Sequence, residues 1–294
     1  LFPQFQECKS DIDNAIKKII EKSDFITGST VDNFESNICS YTGAEACASI
    51  GSGTNALVCA LRALGIGQGD TVWTVGHTFV STTEAIVNVG AKPLFVDIDE
   101  FYHLDTEEMR KVTGSKEFAL PELKAILFVD LYGQTPDIDK IKSFAQEYDL
   151  KVIQDAAQSF GSSVDGKMSC SFGDIGCTSF FPAKPLGCYG DGGSIFTDDD
   201  NLAEILKSIR IHGTGADKYH NIRVGINGRL DTIQAAILII KLKAFSEEVD
   251  LRNKVAEQYN NNLKDIFGLQ MIPPGYISSW AHFFILCYSD CHRN

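Results

Sequence analysis

No apolar run in this sequence is long enough to cross a bilayer. The longest aliphatic stretch, Ala235–Ile240, falls far short of the roughly 20 residues that a spanning helix needs. Basic residues are scarce beside acidic ones, 26 Lys and Arg against 39 Asp and Glu, and the formal charge of −13 argues against the broad cationic footprint of a nucleic-acid binder. An anionic ligand would have to meet a local basic pocket. CxxC pairs are also missing: the nine Cys stand singly, which fits reduced thiols and a cytoplasmic protein better than a disulfide framework. Cys287, Cys291 and His292 have no second ligand pair nearby, so no metal site is expected there. The opening residues, Leu1 to Phe5, have neither a basic region nor an apolar one, so no signal peptide is visible. With Leu rather than Met at position 1, the start of the reading frame is expected upstream.

What is present is the balance of a globular enzyme. In 294 residues, 44% hydrophobic and 22% charged, a real core can be buried, and the length allows about two folding units. Short β-branched runs alternate with helical patterns, which predicts a three-layer α/β fold with a mostly parallel, mixed sheet between helices. Strands are expected over Thr71–Val75, Lys92–Val96, Ala125–Val129, Lys151–Gln154, Cys177–Phe181 and Gly193–Thr197. Helices are expected over Ser10–Lys22, Thr54–Leu64, Ser81–Val89, Ile138–Tyr148, Leu202–Ile211 and Arg229–Leu242. Beyond Lys243 the pattern turns more charged and then meets Pro273-Pro274-Gly275, so residues 1–244 read as a large domain and 245–294 as the start of a small one.

Three segments carry chemistry. Gly51-Ser52-Gly53-Thr54-Asn55-Ala56 precedes an apolar helix, and small residues there would expose free N–H groups to an anion such as a phosphate; an ordinary Ser-capped helix start reads the same way. Gly65-Ile66-Gly67-Gln68-Gly69 imitates a dinucleotide fingerprint but follows a helix and precedes a strand, so it is read as a turn. Asp155 ends an apolar strand, where open α/β sheets bind ligands, although it could equally cap the segment that follows. Lys184 comes after the aromatic run Ser179-Phe180-Phe181 and before the glycine-rich turn Gly187–Gly193. A lysine desolvated in such a place can lose its proton and form an imine, whereas a solvated loop lysine cannot be separated from it by residue type alone.

Together, SGTNAL, HTFVSTTEAI, VDLYGQ, QDAAQSFGS, SFFPAKPLGCYGDGG and NGRLDTIQAA make the chain resemble the fold-type I, pyridoxal-phosphate-dependent nucleotide-sugar aminotransferases of the DegT group. From His212-Gly213-Thr214 through Asn227-Gly228-Arg229 it is most similar to the enzymes that aminate a UDP-2-acetamido-2-deoxy-3-keto-hexuronate for bacterial surface polysaccharides. The resemblance implies a Schiff-base lysine at Lys184, a pyridinium partner at Asp155 and a contact to the cofactor's phenolic oxygen at Gln158. It further implies ring stacking on Phe79, where the bland reading is a core Phe, and phosphate contacts from Gly53, Thr54 and Ser179. Asn227 is implied to reach the phosphate, and Arg229 a substrate carboxylate, across a homodimer with shared sites. The implied reaction passes an amino group from an amino acid, L-glutamate by expectation, to a UDP-linked keto sugar. Dehydratases of the same group carry His in place of the lysine. A catalytically inert or regulatory homologue, or an aminotransferase for another keto sugar, is the alternative. The family continues past the SxWAxF-like strand, here Ser279–Leu286, into a longer small domain, so the chain reads as a partial frame or a truncated homologue.

Overall fold

The computed structural model describes residues 2–114, 122–217 and 219–287. Cys291 and His292, considered above for metal binding, lie outside them. Helices α1 (Phe2–Lys22) and α2 (Ser29–Thr42) lead into β1 (Ala46–Ile50), α3 (Gly53–Ala63), β2 (Thr71–Val75), α4 (Val80–Asn88) and β3 (Lys92–Val96). Then come α5 (Thr106–Thr113), β4 (Leu123–Val129), α6 (Ile138–Glu147), β5 (Lys151–Asp155), the short β6 (Ser163–Val164) and β7 (Lys167–Met168), β8 (Ile175–Ser179), β9 (Gly193–Thr197) and α7 (Asp200–Ile209). A long α8 (Thr232–Leu263) follows, and β10 (Gly268–Leu269), β11 (Tyr276–Ile277) and β12 (Ile285–Leu286) close the described chain.

The main sheet runs β1-β9-β8-β5-β4-β2-β3. Strands β8, β5, β4, β2 and β3 are parallel, and β9 is antiparallel to both of its neighbours, so the sheet is mixed as expected. Alternation along the strands divides the interior in two. Ala48, Ile50 and Ile195 face one core with α3, α4, α6 and α7, while Cys47 and Phe196 face a second with α2 and α8. Phe180 belongs to that second core, edge-on to Phe34 at 5.4 Å, so of the Phe180-Phe181 pair only Phe181 is exposed.

Local chemistry accounts for the helix starts. Ser52, Asp137 and Asp199 each accept a backbone N–H of the first turn of α3, α6 and α7, so within the acidic run Asp198-Asp199-Asp200 it is Asp199 that caps the helix, while Asp198 accepts the Glu45 N–H. The segment Gly65–Gly69 is a turn, with Gly65 and Gly69 at φ 74° and 96°. Helix α8 continues well past Leu242: its charged second half is half solvated, and Phe245 and Val249, beyond residue 244, pack in the same core as Phe34 and Phe160. The expected strand over Ser279–Leu286 is corrected. Only Ile285–Leu286 pairs as a strand, whereas Ser279 donates its N–H to Gly133 O and its hydroxyl to Gln158 O, tying the segment to loops instead of a ladder.

Candidate active site

Because β1, β2, β5 and β8 run the same way in the sheet, their carboxyl ends meet on one edge, and a cavity of about 430 Å³ opens there. Its lining brings together Gly53, Thr54, Phe79, Asp155, Gln158, Ser179 and Lys184 from segments more than a hundred residues apart. A larger groove of about 840 Å³ lies between α2, β1 and α7; acidic side chains dominate it and none of these residues reaches it.

Asp155 is the last residue of β5 and is buried. Its Oδ1 accepts the Ala157 N–H at 3.2 Å and its Oδ2 accepts the Thr82 hydroxyl at 2.9 Å. The Thr82 proton is thereby committed, so Thr78, 2.8 Å away, must donate to Thr82. Burial pushes the Asp155 carboxyl above the usual range; the two hydrogen bonds and the Lys184 charge oppose this. Lys184, on the turn after β8, shifts the other way: burial lowers its ammonium pKa and Asp155 resists. Both shifts follow from burial, which brings the proton affinities of acid and amine closer together than in water.

At the start of α3, Gly53 packs against Ser179. A Cβ at Gly53 would come within 2.7 Å of Ser179 Cβ, so glycine is what lets the helix start sit at the cavity floor. Gln158 Oε1 accepts the Tyr132 N–H at 2.7 Å; since a backbone N–H needs an acceptor, the amide NH₂ is the end left to donate. Tyr132 holds a left-handed φ of 62° there. Phe79 is 65% exposed and lines the cavity, which overturns the alternative of a core Phe.

Asn227 and Arg229 are not in this cavity. They hydrogen-bond to each other on the outside of the segment bridged to Ile50, with Asn227 exposed. Residues that sequence reasoning missed include Thr82 and Thr78, one turn apart within HTFVSTTEAI, whose i,i+4 spacing was the available signal. His282 also lines the cavity, carried there by the Ser279 bonds, and its neighbour Tyr132 is in contact with His77, Nε2 to OH at 3.0 Å. No sequence spacing foretells those contacts.

A comparison with known proteins gives the same reading. The UDP-2-acetamido-2-deoxy-3-oxo-D-glucuronate aminotransferase of Pseudomonas aeruginosa is 46% identical over 279 residues, which cover 94% of this chain and 76% of that protein. An aminotransferase structure from Brucella abortus superposes with a TM-score of 0.94 at 40% identity, covering 96% of this chain and 76% of that one. S. venezuelae DesV, solved with a ketimine intermediate, gives 0.92 at 32% identity, covering 98% and 76%. With a lysine and a carboxylate lining one cavity at the strand ends, and with residues 6–294 matching the family, the chain belongs to the DegT/DnrJ/EryC1/StrS aminotransferase family.

Proposed function

We propose that this protein uses pyridoxal 5'-phosphate to move an amino group from L-glutamate to a UDP-linked 2-acetamido-2-deoxy-3-keto-hexuronate, in the cytoplasm, for surface-polysaccharide precursors. The observation that carries the reading is the meeting of Lys184, Asp155 and the start of α3 in one cavity. The residues fit the cofactor. Lys184 offers an amine whose protonated form is disfavoured, so the free base needed to condense with an aldehyde is accessible. Each Asp155 oxygen carries one hydrogen bond and keeps room to accept another, from a ring N–H. Gly53, Thr54 and Ser179 would hold the phosphate at the positive end of α3, Phe79 the ring face and the Gln158 amide the phenolic oxygen.

When bound, the cofactor supplies an electron sink for the carbanion formed at the amino-bearing carbon. The chain's part is to keep Asp155 ionised against its burial, through Thr82 and the Ala157 N–H, and to hold the Lys184 amine where it can take up and return the α-proton. Walls of Leu57, Val129 and Leu131 exclude water. Arg229, outside its own cavity, would meet the substrate carboxylate in a partner subunit's site as a bidentate fork, with Asn227 reaching the phosphate beside it.

The test is chemical trapping. Protein loaded with pyridoxal 5'-phosphate and reduced with borohydride should carry one adduct, on the Lys184 peptide, and L-glutamate alone should release one 2-oxoglutarate per site. An adduct elsewhere, or none, overturns the assignment; binding without 2-oxoglutarate means a non-catalytic homologue. For the shared sites, inactive Lys184→Ala and Arg229→Ala chains refolded together should recover up to about a quarter of wild-type activity, because one site of each mixed dimer carries neither lesion. No recovery in confirmed mixed dimers overturns the cross-subunit role.

A further inference from the structure

The chain from Phe180 to Gly192, which carries Lys184, has no helix or strand of its own. It is closed on itself by three backbone bonds, Lys184 N–H to Phe181 O and Cys188 N–H to Phe180 O, both at 2.8 Å, and Phe180 N–H to Gly192 O at 2.7 Å. Gly187 is folded so tightly beneath that a Cβ would approach Pro182 O to 2.5 Å. These bonds shape the turn and leave its anchoring to something else, which is α8. Gln234 Oε1 accepts the Tyr189 N–H at 2.9 Å, Lys241 Nζ donates to Gly187 O, and Arg252 Nη2 lies 3.5 Å from Pro185 O. Spacings of seven and eleven residues put these three side chains on one stripe of the helix.

Lys241 is the costly member. It is 4% exposed and makes no ion pair among the described residues. Its Nζ lies 5.6 Å from the centre of the Tyr189 ring, and Glu248, Cys8, Cys188 and Arg252 are the titratable and charged groups around it. Burying an ammonium without a carboxylate costs stability that an aliphatic side chain of similar length would not. What the ammonium supplies, and an aliphatic cannot, is a directed bond to one carbonyl three residues after Lys184.

We propose that Lys241 is a positioning residue for Lys184: by holding the Gly187 carbonyl it fixes the turn that sets where the Lys184 amine stands and how far water reaches it. The functional meaning rests on Lys184 being the cofactor-bearing amine. The placement of Lys184 can be measured without that premise.

In the cofactor-free full chain, acetic anhydride labelling of Lys184 is followed against pH by peptide mass, alongside the affinity for pyridoxal 5'-phosphate and the melting temperature. In Lys241→Met the loosened turn should hydrate Lys184, so its labelling midpoint moves up toward that of an ordinary lysine, and cofactor affinity falls about tenfold or more, as for loss of one charged hydrogen bond. Lys241→Arg should restore both in part. A folded Lys241→Met with an unmoved midpoint, even with a lower melting temperature, overturns the proposal and leaves Lys241 a role in stability alone. Should Lys241→Met fail to fold, Gln234→Ala, which frees the Tyr189 N–H, should move the midpoint the same way; no movement there likewise overturns it. Wild-type protein that captures no cofactor at Lys184 while its midpoint still responds to Lys241 would sink the functional reading and uphold the positioning one.

Discussion

Asp130 stands immediately after β4 and is completely enclosed, with its backbone N–H donated to Asp155 O at 3.0 Å. One carboxylate oxygen, Oδ2, receives Gln154 Nε2 at 2.7 Å and the hydroxyls of Ser159, Thr135 and Ser169 at 2.5, 3.0 and 3.2 Å. The other, Oδ1, is buried without a partner among the described residues. Desolvation outweighs the donors, and the carboxyl is pushed up from 3.8 to about 7. A folded-state pKa above the unfolded one means that the folded chain holds this proton more tightly. Stability from the group is therefore complete below about pH 3.8 and is lost as pH rises to about 7. The whole displacement is about three pH units, or about 4 kcal/mol, of which about two units, about 3 kcal/mol, fall between pH 5 and 8.5. Asp130→Asn keeps the shape, lets the amide oxygen accept the same donors and is neutral throughout. Urea denaturation at the two pH values should show the variant gaining about 3 kcal/mol on wild type as pH rises. Parallel profiles for the two proteins would refute the reasoning and show that Asp130 ionises in the folded state as it does in water.

Thr82→Val removes the donor on Asp155 Oδ2, so the carboxyl should rise further above the usual range; the acid limb of the amino-transfer profile should move up with it, and an unmoved limb would exclude the contact. Phe79→Ala, at a 65% exposed position, should leave stability within about 0.5 kcal/mol while weakening cofactor binding in a fluorescence titration; equal affinity would remove Phe79 from the site. Glu35→Ala leaves the buried Arg210 guanidinium without its carboxylate and should cost about 3 to 5 kcal/mol in urea denaturation; a loss under about 1 kcal/mol would mean that the pair is solvated.

Much of the architecture was legible because its strands are buried on both faces and read as continuous apolar runs. Thr71–Val75 and Gly193–Thr197, buried throughout, appear with the expected bounds, and so does the edge strand Lys92–Val96, where only Val96 is buried but Leu94, Phe95 and Val96 keep the run apolar. Strand β1, Ala-Cys-Ala-Ser-Ile, was not legible, since small residues carry little strand signal and its place is fixed by pairing with β9. Helix α2 buries Val31, Phe34 and Ile38 but begins after Gly28 with no side-chain cap, whereas α5 is capped by Asp105 but buries only Thr106 and Met109, so each lacks one of the two signals by which a helix is read.

The site divides along the same line. Residues whose chemistry is local to a strand end or a helix start, Asp155, Gly53 and Lys184, stand out in the sequence because a charged or very small residue interrupts an apolar pattern there. Their supports do not. Thr82 acts on Asp155 from 73 positions away, Lys241 on Gly187 from 54 and Ser279 on Gln158 from 121, and each looks in sequence like an ordinary helix or loop residue. Position and proton affinity, the two quantities on which the chemistry of Lys184 and Asp155 depends, are therefore set mainly by residues with no signature of their own. Substitutions at such positions should alter proton affinities and reactivity while every recognisable motif stays intact.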